Sequence, residues 1–155
     1  MRFARLFVIL YPQMQGFRLY KSEKLRSRTA VDSLFDKGVG SVAYPLRVVY
    51  RMRQQAEAPA QFLITIPKKR MRHAVDRVLL RRRVREAYRL HRGQLLYPAL
   101  NASQLSMDIA FVYVANEKAS YQVIEEKMKL LLTRMARAAA LHAGNKQPLS
   151  STQHS

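Results

Sequence analysis

Apolar residues recur along this chain with two different periods, and the switches between them mark out its elements. From 21 to 37, Leu25, Val31, Leu34 and Phe35 fall at helical spacing, with Ser22 placed to cap the start and Gly38 and Gly40 closing the run. This predicts a first helix over 21–37. From 44 to 53 the period becomes two. Leu46, Val48, Tyr50 and Met52 share one face and Arg47, Val49, Arg51 and Arg53 the other, as in a half-buried strand with a basic outer face. A short extra strand is expected before Tyr44. The loop QQAEAPA leads to a second apolar strand, QFLITI, and the two are expected to pair as an antiparallel hairpin. Pro67, with no N–H to give to a ladder, ends it.

Residues 74–92 contain strong helix formers and neither Gly nor Pro before Gly93, which predicts a second helix. About fifteen residues including Pro98 and Asn101 then read as a loop. The strand expected over 107–114 is a near-continuous apolar run, the mark of a strand covered on both faces. In the last helix Tyr121, Ile124, Met128, Leu131, Leu132 and Met135 line one side, with Ser120 as N-cap. The order helix, two or three strands, helix, strand, helix predicts an α+β sandwich with helices on a sheet.

The chain has 155 residues, a length for one domain, expected over 17–143. Residues 144–155 are polar and aperiodic, predicting a disordered tail. Residues 1–16 read as an N-terminal extension: the apolar run Leu6 to Tyr11 is shorter than the roughly 7–15 residues of a secretory signal core. No segment approaches the roughly 20 apolar residues of a membrane span.

Charge changes the picture most. Against 28 Lys and Arg stand 10 Asp and Glu, a formal net charge of +18. Such a surface attracts polyanions, nucleic acid ahead of an anionic membrane. Yet 48% of residues are hydrophobic, so the chain folds rather than behaving as a disordered polycation. With no cysteine it has no disulfide, thiolate nucleophile or Cys-based metal site, in keeping with a reducing cytoplasm.

The charge is local. Lys68, Lys69, Arg70, Arg72, Arg77, Arg81, Arg82, Arg83, Arg85, Arg89 and Arg92 face only Asp76 and Glu86 within 25 residues, a net of nine, half of the whole-chain value. With Arg77 at 0° and about 100° per residue, Arg81, Arg82, Arg85, Arg89 and Arg92 lie between roughly 40° and 140°, while Leu80, Val84 and Ala87 lie between roughly 280° and 340°. From Arg77 to Arg89 the row is about 18 Å long, enough to meet several consecutive phosphates. Arginine suits that task, since its planar fork binds phosphate bidentately, stacks on bases and keeps its charge. A solvated charged face is the ordinary reading of mixed charges. A one-sign row lacks the i,i+4 partners that would stabilise it, which favours a nucleic-acid surface.

The stretch IPKKRMRHAVDRVLLRRRVREAYRLHR is similar to the signature of ribonuclease P proteins: a strand ending in two lysines, then a helix rich in Arg and Lys that closes on an Arg-Glu pair. KSEKLRSRTAVDSLFDKG with YPLRVVYRM resembles the family's first helix and strand, and MDIAFVYVAN with the helix after it completes the likeness. The resemblance implies the protein subunit of an endoribonuclease that removes the 5′ leader of precursor tRNA, with chemistry carried by a catalytic RNA and its Mg2+. It implies a 1:1 ribonucleoprotein in the cytoplasm, with no cofactor, metal or catalytic residue on the protein itself. It also implies a four-stranded sheet of the kind seen in a ribosomal-protein domain, with a left-handed β-α-β crossover where the general rule is right-handed.

By position, the resemblance gives RNA contacts to Lys68, Lys69, Arg77, Arg81, Arg82 and Arg85, and the charge row adds Arg70, Arg72, Arg89 and Arg92. Phe35 and Tyr50, with Arg47, match the family's central cleft, where the precursor leader lies. For the two aromatics, simple core packing is the competing reading. The family usually reads Arg-Asn-Arg where this chain has Arg77, Val78 and Leu79, and often Gly or Asn where it has Arg70 to His73. Val78 falls near roughly 100° on the wheel, among the arginines, and cannot make an asparagine's polar contacts.

His73, His91, His142 and His154 show no metal-ligand spacing, and Asp32, Asp36, Asp76 and Asp108 form no carboxylate cluster, so the chain is not expected to be a nuclease by itself. The main competing function is a structural ribosomal or general RNA-binding protein. A DNA regulator lacks support, because neither a helix-turn-helix pair nor a dimerisation element is visible.

Overall fold

The computed structural model describes residues 18–145. A 3-10 turn at Lys21–Glu23 precedes α1 (Arg28–Lys37), followed by β1 (Val39–Ala43), β2 (Leu46–Gln54), β3 (Ala60–Thr65), α2 (Ala74–Leu95), α3 (Tyr97–Ser103), β4 (Leu105–Tyr113) and α4 (Tyr121–Asn145). The α+β sandwich is as expected. The four strands form one sheet in the order β1-β2-β4-β3. The extra strand before Tyr44 is β1, which turns through Tyr44 and the cis Pro45 to pair antiparallel with β2, Ala43 opposite Leu46.

The expected hairpin between β2 and β3 does not form. β4 lies between them, antiparallel to β2 with Val49 opposite Ala110, and parallel to β3 with Leu63 opposite Ala110. β4 is buried along nearly its whole length, and a strand apolar on both faces gains most from a central place. The loop from β2 must therefore pass over the start of β4, where Ser106 fastens it: Ala56 N–H donates to Ser106 Oγ (2.8 Å), which donates to Ala58 O (3.1 Å). The parallel neighbours β3 and β4 are joined through α2 and α3, which is the crossover connection.

The main core lies between the sheet and α2, α3 and α4. Leu80, Val84, Ala87 and Tyr88 meet Leu46, Val48, Tyr50, Phe62 and Phe111 there, with the Tyr88 ring centroid 4.5 Å from Phe62 and 5.4 Å from Phe111. The other sheet face carries α1 over a smaller cluster of Leu25, Leu34, Val49 and Ala110. Gly38, the C-cap of α1, makes that packing possible: a Cβ there would stand 2.3 Å from Leu34 O and 2.6 Å from Val49 Cγ1.

The first helix starts later than the apolar spacing predicts, at Arg28, with Ser27 in place of Ser22 as cap (Ala30 N–H to Ser27 Oγ, 3.3 Å). Residues before it are drawn out because they run along the free edge of β3, where Lys24 bridges Phe62 and Leu25 N–H donates to Phe62 O (2.9 Å). This covers an edge that would otherwise present unpaired backbone. The expected long loop is mostly helix, α2 running through Gly93 and α3 starting at Tyr97 with Pro98 in its first turn. The last helix has Ser120 as cap as expected, Val123 N–H donating to its Oγ (3.3 Å), and runs to Asn145, past the expected tail start at Gly144. The N-terminal extension and residues 146–155 of the tail lie outside the described residues.

Candidate nucleic-acid interface

The site is built on α2 and the turn before it. After β3, Pro67 O accepts from Arg70 N–H (3.0 Å) and Met71 N–H (3.1 Å), and Met71 is buried in the core. That anchor leaves Lys68, Lys69, Arg70 and Arg72 exposed around it. Arg70 Nη1 donates to Asn116 Oδ1 (3.3 Å), tying the turn to the segment after β4. Arg77 reaches back from α2, its Nη1 donating to Met71 O (2.9 Å) and Arg72 O (2.8 Å). Arg77 thus shapes the turn that presents the other cations.

Along α2, Arg82 and Arg85 are exposed and Arg81 half-buried on the flank; among the described residues none of these three has a hydrogen-bond or ion-pair partner. Like charges this close repel, so the face adds nothing to the stability of the helix and is chemically suited to an anion. Arg83 Nη1 donates to Ala119 O (2.6 Å) and holds α2 against the start of α4. Arg89 grips Glu86 with two bonds, Nε to Oε2 (3.1 Å) and Nη2 to Oε1 (2.6 Å). That hydrogen bond keeps the Glu86 carboxyl below its usual range.

Arg92 does not belong to this face. It is 1% exposed, and its Nε meets Glu23 Oε1 at 2.8 Å. Nη2 donates to Glu23 Oε2 (3.3 Å) and Arg18 O (2.7 Å), and Nη1 to Arg89 O (2.6 Å). Tyr97 Oη bonds the same carboxylate, and the guanidinium lies 5.4 Å from the Tyr97 ring centre. A buried charge is tolerable when so fully bonded. The wheel misplaced Arg92 because α2 buries a wider arc in its second half, where α3 and the turn at Lys21–Glu23 cover it.

The cleft residues divide between the two sides of the sheet. Phe35 is 49% exposed on α1, and the exposed Arg47 shares that side, in β2 alternation with Val49. Tyr50 faces the opposite way, 8% exposed within the main core, and burial pushes its phenol pKa up. The core-packing reading therefore holds for Tyr50, and Phe35 and Tyr50 do not line one surface. The strand period contained this answer, since Tyr50 shares the face of Leu46 and Val48.

Sequence reasoning missed two features. Lys21, Lys24 and Arg26 are exposed on the segment that meets the β3 edge through Lys24; they were hidden inside a supposed continuous helix. Tyr121, read as core, reaches the surface beside Leu79, Arg82 and Arg85. Among the described residues no three His, Asp or Glu side chains group as a metal site, and no helix is long and apolar enough to cross a membrane.

A family model described as Ribonuclease P matches residues 19–136. The ribonuclease P protein component of Porphyromonas gingivalis is 40% identical over 121 residues, covering 77% of this chain and 88% of that protein. The component from Chlorobium phaeobacteroides is 29% identical over 126 residues, covering 74% and 85%. Among solved structures, the RNase P protein of Thermotoga maritima superposes with a TM-score of 0.57 at 23% identity, over 72% of this chain and 96% of that one. The Staphylococcus aureus protein gives 0.57 at 17% identity, over 74% and 95%. The chain belongs to the ribonuclease P protein family.

Proposed function

We propose that this chain is the RNA-binding subunit of a ribonuclease P ribonucleoprotein and promotes removal of the 5′ leader from precursor tRNA. The observation that carries the reading is the trio Arg81, Arg82 and Arg85, held without partners among the described residues on a rigid helix, with Lys68, Lys69 and Arg72 exposed at its start. Family membership supports an RNA partner, and in this reading that partner is the catalytic RNA of the holoenzyme, docked on this face. Arg70, Arg77 and Arg89 support it by positioning, and Arg92 by holding the fold.

The precursor leader is assigned to the other side of the sheet, beside Phe35 and Arg47. An exposed ring stacks on unpaired bases with little regard to sequence, which suits leaders that vary. In this reading the RNA and its bound Mg2+ cleave the phosphodiester, and the protein acts as one copy per RNA in the cytoplasm. The test is competitive filter binding at fixed, near-physiological salt. Ribonuclease P RNA is expected to be bound at least tenfold more tightly than ribosomal RNA of equal length. Equal affinity for both would favour a general RNA-binding protein.

A further inference from the structure

An open groove of about 390 Å³ lies between the outer face of α2 and the first turn of α4. Its chemistry differs from that of a phosphate site. Leu79, 37% exposed, and Tyr121 provide apolar surface in the middle of the most basic region of the molecule. Arg82 and Arg85 stand at the rim with no partner among the described residues, while Arg83 is fixed to Ala119 O and Arg89 to Glu86.

Each part constrains the occupant. A phosphate gains nothing from a leucine and a phenol ring, and the Glu86 carboxylate in the groove wall repels it. A nucleobase has two apolar π faces that stack on tyrosine and on guanidinium planes, and N–H groups that a carboxylate accepts. The phosphates on either side of that base would be neutralised by Arg82 and Arg85. A duplex does not fit, because its bases are already stacked inside it. The Tyr121 hydroxyl donates to Glu125 Oε2 (2.8 Å). Burial, and then that bond, push its pKa up to about 12, so the ring is fixed and uncharged at neutral pH.

We infer that the groove between Leu79 on α2 and Tyr121 on α4 takes one unpaired nucleobase of the RNA docked on α2. This rests on the RNA-docking reading and goes beyond it, by adding a base contact to a face otherwise read as phosphate-binding.

The chain has no tryptophan, so Tyr121→Trp supplies a single reporter in the groove. Leu141→Trp, at a position 70% exposed near the far end of the same helix, supplies the control. Both variants, checked for wild-type circular dichroism, are titrated with in-vitro-transcribed bacterial ribonuclease P RNA, with binding followed separately on filters. Emission from Tyr121→Trp should fall by about half or more at saturation while Leu141→Trp changes little. Leu79→Ala should weaken RNA binding about tenfold, the scale of roughly two methylene groups of lost apolar contact, with the salt dependence of binding unchanged. If Tyr121→Trp binds RNA on filters without quenching and Leu79→Ala binds as wild type, the groove is empty and the inference fails, although docking on α2 stands. If the wild-type protein does not bind the RNA at all, both fail.

Discussion

Arg85 and Arg92 stand two turns apart on α2 and do opposite work. Arg85 is exposed and unpaired among the described residues, whereas Arg92 is enclosed with Glu23 and Tyr97. Composition and the helical wheel pick out both as arginines of one arc. Angle alone cannot tell them apart, because Arg92 is covered by Tyr97 of the next helix and by Glu23 and Arg18, 69 and 74 residues away. The consequence for measurement is a clean split. Arg82→Ala and Arg85→Ala should each reduce the slope of log affinity against log salt by about one, as expected for one lost phosphate contact, with urea unfolding unchanged. Arg92→Ala should lower unfolding free energy by about 3–5 kcal/mol, because it leaves the Glu23 carboxylate buried without its partner. A wild-type salt slope in both Arg82→Ala and Arg85→Ala would contradict the phosphate role.

Val78 belongs to the same scale. It is 47% exposed on α2, where the family pattern has asparagine. An exposed valine with no packing role can be replaced at a cost of a few tenths of a kcal/mol in helix propensity. Val78→Asn is therefore expected to leave stability near wild type and RNA affinity equal or higher, measured by filter binding. A large loss of affinity would mean that Val78 itself contacts the RNA.

At the scale of elements, periodicity found β2 and α4, a run of helix formers free of Gly and Pro found α2, and short apolar runs found β3 and β4. Such patterns misjudged what depends on distant partners. Adjacency in sequence suggests pairing β2 with β3, while the two-sided burial of β4 puts that strand between them. α3 was missed because seven residues containing a proline, with no glycine at the end, carry no helix stop. Its C-cap is Gln104, at φ 54°, ψ 42°, a left-handed conformation that costs a non-glycine residue roughly 1 kcal/mol. Gln104→Gly should therefore raise the unfolding midpoint by up to about 1 kcal/mol equivalent, read by urea denaturation. A loss of stability would show that the Gln104 side chain contributes more than the backbone strain costs.

Over the whole molecule, the sheet separates two surfaces. α2 and the turn at Lys68–Arg72 stand on one side, and α1 with Phe35 and Arg47 on the other, so on the proposed function an RNA and a single-stranded leader would not compete for space. The sequence showed the first surface through charge density and the family signature. It showed the second only in part, because strand alternation sent Tyr50 into the core while leaving Arg47 outside. The central claim is that this chain promotes tRNA leader removal by docking through α2. Its most direct test is cleavage of precursor tRNA by a bacterial ribonuclease P RNA at low Mg2+, with increasing amounts of wild-type protein or of the Arg82→Ala/Arg85→Ala double variant. The account predicts that the wild-type protein strongly raises the cleavage rate and that the double variant needs at least about tenfold more protein for the same effect. An unchanged rate with the wild-type protein, or equal stimulation by both proteins across the titration, would contradict it.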